Sequence, residues 1–292
     1  MAQFIISAFA DEASDLLEGQ IAALKRNGLR LLEPRSIEGS VVKKSDEELY
    51  AIRAALDEAG IGISSLGSPC GKFDIKEDFS EHLELFRRAL TACRILGTDK
   101  MRMFSFFVAP EEIEEYRDEV IRRLRIMLDE AKAAGITLCH ENEHRIYGEA
   151  PAQVRDLLTS LPELRGIFDA ANYVRQGHDP IEGFEATAPS LEYVHVKDAT
   201  ADTRVHLPAG MGDGRYEDIL RRVDALTDRT VILTVEPHLF DFAAYKAIDA
   251  QKMDTRLKFE NSDQSFDCAV GALKELLIKI GFTEGEDKIW KK

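Results

Sequence analysis

Four short apolar runs in this sequence end on side chains that could ligate a divalent cation. The residues at or near their ends are Glu141, Asp169, His195 and Glu236. Apolar runs of this length, bounded by glycine or turn residues, are typical of buried parallel strands. One acidic residue in such a place could merely cap the next segment, but repetition over four consecutive strands favours a shared site. Carboxylate and imidazole ligands suit one divalent cation, with Mn, Zn, Mg and Co all left open.

The two glutamates of this set, Glu141 and Glu236, could act as a catalytic acid and base. If both point inward, they flank a bound sugar from different sectors and can work on opposite faces. The cation would hold two adjacent oxygens of a hydroxy-carbonyl substrate and stabilise a cis-enediolate. The pattern therefore predicts an isomerase or epimerase. Glu143 and His144 are rival candidates, or they orient Glu141 from behind.

The candidate strands belong to a recurring unit of amphipathic helix, glycine and short apolar strand. Helices are predicted over 14–27, 45–59, 80–96 and 111–134, and Gly28, Gly60, Gly97 and Gly135 follow them. Glycine at these places ends a helix in a left-handed turn. Eight strand candidates alternating with helices predict an α/β fold with a parallel sheet, closed into a (β/α)8 TIM barrel. A doubly wound open sheet is the alternative, but no Gly-x-Gly-x-x-Gly follows the first strand.

Several finer expectations follow from the same pattern. Ser45 is a predicted N-cap, with Glu48 three residues later completing a capping box. His82 lies on a predicted helix and is expected at its surface. The segment 239–266 is expected to form a lid or a helical excursion on the barrel rim, within a single domain spanning 1–292. The tail 285–292 is expected to be frayed.

Five stretches of the chain resemble the sugar-phosphate isomerase/epimerase family, a xylose isomerase-like TIM barrel superfamily that includes the endonuclease IV class. They are Ser68–Lys72, His140–Glu143, Phe168–Asn172, Tyr193–Asp198 and Val235–His238. Their order and spacing extend the resemblance over nearly the whole chain. It implies that Glu141, Asp169, His195 and Glu236 ligate the metal and that Glu141 and Glu236 are the acid/base pair.

Departures from the family pattern narrow the expected function. Asn172 stands where the ketose 3-epimerases carry a histidine, and Arg204 is only a displaced counterpart of their substrate-binding arginine. Both differences argue against a C3 epimerase. The repair nucleases need three zinc ions, whereas the matching strand ends here carry Ser65, Arg102 and Ser105. The sequence therefore predicts a site for one cation.

Other polar side chains near the strand ends are candidates for substrate contacts. They are Arg35, Lys72, Arg102, Glu143, Asn172, Lys197 and His238. The four cations could converge on a substrate carboxylate or phosphate, or each could pair with a neighbouring acid. The glycine-rich run 209–214 is either a plain turn or a loop approaching the metal or a phosphate. No clear phosphate cradle opens a helix after the last strands, which favours a neutral or carboxylated sugar.

The bulk properties are those of an ordinary globular chain of 292 residues, 45% hydrophobic and 31% charged. A net charge of −15 argues against nucleic acid and anionic membranes as partners. No long apolar run and no basic leader is present, so a cytoplasmic protein is expected.

The expected partner is a small-molecule carbohydrate: a sugar, a polyol or a sugar phosphate. Whether the chain forms a homo-oligomer is left open. The alternatives are a metal-dependent dehydratase of a keto-polyol, a DNA-repair endonuclease of the endonuclease IV class and a non-catalytic sugar-binding barrel.

Overall fold

A parallel sheet of eight strands forms the centre of the protein, whose computed structural model describes residues 1–240 and 257–292. The barrel strands are β1 Gln3–Ala8, β2 Leu31–Leu32, β3 Gly62–Ile63, β4 Lys100–Met103, β5 Thr137–Glu141, β6 Arg165–Asp169, β7 Leu191–Val196 and β10 Thr230–Val235. β11 Thr283–Glu284 and β12 Ile289–Lys291 are short antiparallel strands that extend this sheet beside β1. β8 Asp198–Ala199 and β9 His206–Leu207 form a separate antiparallel pair.

The helices alternate with the barrel strands along the chain. They are α1 Leu17–Arg26, α2 Asp46–Ala59, α3 Phe79–Leu96, α4 Ile113–Ala134, α5 Pro151–Ser160, α6 Ala170–Gln176, α7 Pro180–Thr187, α8 Tyr216–Leu226 and α9 Ser262–Lys279. Single 3₁₀ turns lie at Ala10–Glu12, Val41–Lys43, Pro110–Glu112, Tyr147–Glu149 and Ala188–Ser190. Among the described residues, no helix is long and apolar enough to cross a membrane.

The sheet closes into a ring, which confirms the predicted (β/α)8 barrel. β1 pairs in parallel with β10, from Gln3 opposite Thr230 to the ends of both strands. On its other side β1 pairs with β2, which pairs with β3. Leu66, just beyond β3, completes the ring through backbone hydrogen bonds with Lys100 and Arg102 of β4. Such closure leaves no unpaired edge among the parallel strands.

Local sequence determines where the helices begin and end. Ser45 accepts a hydrogen bond from the Glu48 N–H, and the Glu48 side chain accepts one from the Ser45 N–H, so the predicted capping box is present. Helices α2, α3 and α4 end at Gly60, Gly97 and Gly135 with φ of 72°, 76° and 73°. Glycine adopts this left-handed conformation without the steric penalty of a Cβ, which ends each helix and directs the chain into the next strand.

Strand alternation separates an apolar outer face from a more polar interior. Phe168, Val194 and Leu233 point outward into the main core between strands and helices. Tyr193 lies with Cys139 in a separate cluster of buried side chains. Because side chains two residues apart on a strand share a face, the residues that follow Cys139 and Tyr193 at this spacing are directed into the barrel mouth.

Two of the finer predictions are wrong. His82 is buried rather than exposed, because the loop after β3 folds over α3: His82 Nε2 accepts a hydrogen bond from the Gly71 N–H, and its ring stacks on Phe73. Burial, together with Arg123, lowers the pKa of His82 to about 4. The tail is not frayed, since β12 pairs with β1 and buries Trp290. The predicted lid or rim segment lies mostly outside the described residues, and its last part begins α9.

Candidate metal centre

The four residues predicted as metal ligands meet at the carboxyl ends of the strands. They are Glu141 on β5, Asp169 on β6, His195 on β7 and Glu236 directly after β10, and each offers a ligand atom within 4.8 Å of the others. All four side chains are buried. Consecutive parallel strands end at one edge of the barrel, so residues far apart in the sequence are brought to one point.

His195 bridges two carboxylates in this cluster. Its Nδ1 lies 2.9 Å from Glu141 Oε1, and its Nε2 lies 3.3 Å from both carboxylate oxygens of Glu33. Burial alone would lower the pKa of His195, but Glu141 and Glu33 outweigh it and raise the pKa to about 10. A metal ligand must be unprotonated, so a cation binding at this ring would displace a proton.

Glu33 is a part of the site that the sequence analysis did not single out. Its carboxylate accepts hydrogen bonds from Tyr193 Oη at 2.9 Å and Thr234 Oγ1 at 2.8 Å, directly below His195. A carboxylate held in this way fixes the orientation of the imidazole that it contacts. Strand alternation places Glu33 on the same face as Arg35, but its hydrogen bonds come from residues that are distant in the sequence.

Lys197 lies among the carboxylates of the cluster. Its Nζ is 3.0 Å from Glu236 Oε2 and 3.2 Å from Asp169 Oδ2. Burial would lower the pKa of Lys197, but Asp169 and Glu236 raise it further than burial lowers it. Burial raises the pKa of Asp169, because its effect exceeds that of Lys197. The pKa of Glu236 is lowered, because the neighbouring basic side chains Lys197, His238 and Arg35 outweigh burial.

The residues present fit a divalent cation. Three carboxylates and one imidazole form a donor set that divalent metals accept, within one coordination sphere's span. Asp169 Oδ2 receives no hydrogen bond from any described residue, although Lys197 lies beside it. A buried carboxylate oxygen is normally hydrogen-bonded or metal-bound, so this atom is suitably placed to bind a cation.

A layer of amides holds the ligands in place. Asn142 donates to the Asp169 carbonyl and accepts from the Asp169 N–H, both at 2.9 Å, and thereby ties β5 to β6. Asn172 donates to the Asn142 carbonyl at 2.8 Å and lies 3.5 Å from Glu141 Oε1. The Asp169 carboxylate also caps α6 by accepting from the Asn172 N–H. Asn172 therefore contacts a ligand from within the site.

Arg35 neutralises one side of the cluster. Its guanidinium contacts Asp11 at 3.0 Å, Glu12 at 3.3 Å and Glu236 at 2.7 Å. His238 Nδ1 lies 3.1 Å from Glu12, and the Glu12 carboxylate also accepts from the His238 N–H. Glu12, Glu236 and His238 form a second group with metal-binding residue types, and Arg35 lies among them. The sequence analysis did not identify Asp11 and Glu12 as part of the site.

The other candidate cations are also paired with acids. Arg102 Nη1 lies 3.2 Å from Glu141 Oε2, and Lys72 Nζ lies 2.9 Å from Glu143 Oε2. His144 Nδ1 contacts the second oxygen of Glu143 at 2.8 Å, so Glu143 lies beside the ligands rather than among them. Arg204 lies exposed in the turn between β8 and β9, away from these groups. Each of the four candidate cations thus has a carboxylate partner in this structure.

The glycine-rich run 209–214 wraps around a carboxylate of the chain itself. Asp198 accepts hydrogen bonds from the N–H groups of Ala199, Gly210, Gly212 and Gly214, at 2.8 to 3.0 Å. A Cβ at Gly212 would lie 2.4 Å from the Ala199 carbonyl oxygen, so the close approach requires glycine. These N–H groups would suit a phosphate, but Asp198 already occupies them.

Replacing Asp198 with alanine is expected to destabilise the protein by about 2–4 kcal/mol, because four backbone donors lose their acceptor in a largely buried loop. Asp57→Ala, which removes an exposed i,i+4 partner of Arg53, is the control and should cost under about 0.5 kcal/mol. Urea unfolding of both variants measures the difference. Equal losses would mean that solvent replaces Asp198 in the loop.

Residues 21–253 match the family described as xylose isomerase-like TIM barrel, and the chain belongs to this family. The match covers most of the sequence and confirms the resemblance drawn from the five stretches. No curated protein matches the sequence.

Solved structures with the same fold come from several enzymes. A probable 3-DHS dehydratase, AsbF, from Bacillus anthracis has a TM-score of 0.70 at 15% identity, covering 94% of this chain and 99% of that chain. An L-ribulose 3-epimerase has a TM-score of 0.70 at 17% identity, covering 96% of both chains. An IOLI protein with a bound zinc atom has a TM-score of 0.72 at 12% identity, covering 94% and 99%. At these identities the likeness establishes the fold.

Proposed function

We propose that this protein is a divalent-metal-dependent isomerase or epimerase of a small sugar, polyol or sugar phosphate. The observation that supports it most strongly is the meeting of Glu141, Asp169, His195 and Glu236 within 4.8 Å, all buried at the mouth of the barrel. Two of the four are glutamates on strands separated by β6 and β7, so they approach the same space from different sides. That arrangement is what proton transfer between two carbons, or between two faces of one carbon, requires.

A divalent cation held by these four residues would polarise a substrate carbonyl and its neighbouring hydroxyl, which makes the adjacent C–H bond more acidic. The chain's own residues then handle the proton. Lys197, Arg35 and His238 keep the pKa of Glu236 low, and His195 and Arg102 lower that of Glu141 against the effect of burial. Both glutamates are therefore ionised and ready to accept a proton. We assign Glu236 as the base and Glu141 as its partner.

The remaining polar residues of the mouth would orient the substrate. Lys197 and His238 lie against Glu236, and Asn172 and Arg102 lie against Glu141. Arg35, Lys72 and Glu143 form the surrounding ion pairs. Because each cation has a carboxylate partner, these residues present alternating donors and acceptors, which suits the hydroxyl groups of a carbohydrate.

A dehydratase acting on a keto-polyol is the second candidate, since the same acid/base pair could remove a proton and then expel a neighbouring hydroxyl. One of the structures of like fold is a probable dehydratase, at 15% identity. The two reactions differ in their products: isomerisation conserves mass, whereas dehydration releases water.

The decisive experiment incubates the protein, loaded with Mn, Zn, Mg or Co, with ketoses, aldoses and their phosphates in D₂O. An isomerase or epimerase is expected to give a product of unchanged carbon skeleton carrying solvent deuterium at the reacting carbon, seen by NMR and mass spectrometry. A product lighter by one water would establish the dehydratase instead. Metal binding with neither deuterium exchange nor product across the panel would indicate a non-catalytic sugar-binding barrel.

A further inference from the structure

His206 is a buried histidine that has no hydrogen-bond partner for either ring nitrogen among the described residues. It lies on β9, in the hairpin that follows β7, and only 4% of its surface is exposed. A buried imidazole normally has at least one partner, because desolvating both nitrogens without replacing their bonds to water costs free energy. Within the described structure, both nitrogens are therefore left available to a bound molecule.

His206 lies beside His238, which contacts the candidate metal cluster. The ring lies 5.1 Å from the ring of His238, close to Glu236. Burial lowers the pKa of His206, and His238, Arg175 and Lys197 lower it further, while Glu236 acts in the opposite direction. The same basic groups that keep the imidazole neutral would attract an anion placed beside it.

Arg175 adds a guanidinium that has no counterion among residues 1–240 and 257–292. It lies at the end of α6, which packs on β8 through Val174 and Ala199. Arg175 forms no ion pair with any residue of 1–240 or 257–292, and its buried Nε has no hydrogen-bond partner there. The chain carries 53 acidic residues against 38 basic ones. Arg175, which has no carboxylate partner in the described part of the chain, thus differs from Arg35 and Arg102, which are both paired.

The nearest alternative cradle for an anion is already filled. The N–H groups of the glycine-rich run bind Asp198, as described above, so they are not available to a phosphate. Donors that have no partner among the described residues are instead found at His206 and Arg175, on the β8–β9 hairpin and the helix that packs against it.

We propose that His206 and Arg175 form a subsite for an anionic oxygen group, a carboxylate or a phosphate, carried by the substrate away from its reacting carbons. The inference rests on the proposed function, because it takes the metal cluster as the place where the reacting end binds. It extends that function by naming the substrate class: an acidic sugar or polyol rather than a neutral one. Arg175 supplies charge-assisted donors, and His206 supplies one donor and one acceptor.

The test compares three ligands that share a four-carbon polyol: erythritol, D-erythronate and D-erythritol 4-phosphate. Calorimetric titration of the Mn²⁺-loaded protein is expected to give at least about tenfold tighter binding of one anionic ligand than of erythritol, since hydrogen bonds to charged groups are the stronger ones. The preferred anion identifies the group as carboxylate or phosphate. Arg175→Met should abolish most of this preference and leave erythritol binding unchanged.

Two further variants make the result specific. Arg222→Met removes the same charge from an exposed ion pair with Glu185 and should keep the preference. His206→Phe should weaken anion binding by roughly tenfold without lowering the melting temperature, because it breaks no hydrogen bond between His206 and a described residue. Wild-type protein that binds the three ligands alike, or anion preference retained in both subsite variants, would overturn the subsite.

The same titrations separate this inference from the proposed function. If Mn²⁺ binds and erythritol competes normally but no anion preference exists, the subsite is wrong and the metal site stands. In the opposite case, Mn²⁺ fails to bind, but EDTA-treated protein still binds an anion more tightly than erythritol, and Arg175→Met abolishes that preference. The subsite then stands and the proposed function is wrong.

Discussion

Glu236→Gln is expected to lower turnover by about 10²–10⁴-fold while the protein still binds its metal ion. Glutamine keeps the size of the side chain and one oxygen that can ligate, but it cannot accept a proton from carbon. Arg35 and Lys197 contact the two carboxylate oxygens of Glu236 at 2.7 and 3.0 Å. The single amide oxygen of glutamine can accept from only one of these two cations, and the other loses its acceptor. Steady-state kinetics and metal analysis of the same preparation measure both effects.

The control for this variant is Glu185→Gln, an equal change of charge at an exposed position that pairs with Arg222. It should leave turnover and metal content unchanged. Full activity in Glu236→Gln would show that the proton is taken elsewhere, and Glu143, beside Lys72 and His144, would be the next residue to replace.

Asp169→Ala and His195→Ala are each expected to weaken metal binding by about 100-fold or more, since removing a direct ligand should exceed the ~10–100-fold cost of removing an outer partner. Activity should fall with metal content. Metal analysis after gel filtration, together with the thermal shift produced by added Mn²⁺ or Zn²⁺, measures the loss. Unchanged occupancy in both variants would rule out the proposed site.

Asp169 also caps α6, so alanine removes two functions at once. Asp169→Ser separates them, because serine is a good N-cap but a poor metal ligand. We expect the serine variant to lose metal like the alanine variant while its unfolding free energy stays about 1 kcal/mol higher. Asp179→Ser provides a matched comparison, since Asp179 caps α7 in the same way.

The sequence was sufficient to predict the barrel and the meeting of the four candidate ligands. Gly60, Gly97 and Gly135 mark helix ends, and the polar residues that close each apolar run identify the mouth. Both signals are local, because a helix cap and a strand end are determined by neighbouring residues. Once the strands are known to be parallel, their ends must lie together, and no further contact has to be predicted.

The residues that were missed depend on contacts between distant parts of the chain. Glu33 is recognisable as part of the site only from the hydrogen bonds that its carboxylate accepts from Tyr193 and Thr234, on β7 and β10. His82 is buried because the loop after β3 packs over its helix. The spacing of apolar residues along a helix does not predict which loops will pack on it. The role of the glycine-rich run is visible only in the structure, where its backbone N–H groups bind the Asp198 carboxylate.

The closure of the ring by β1 and β10 has a consequence for how the protein is made. The hydrogen bond from the Ala2 N–H to Asp224 joins residues 222 positions apart, and the strands beside it pair along six residues of β1. Ring closure therefore has to wait until β10 has been synthesised, since β1 emerges long before its partner exists. Until then both outer strands of the growing sheet expose unpaired N–H and C=O groups, the edges on which nascent chains aggregate. The entropy cost of closing a loop grows only slowly with chain length, so the long separation between β1 and β10 lowers the stability of the folded barrel little. The same separation slows the folding step in which β1 pairs with β10.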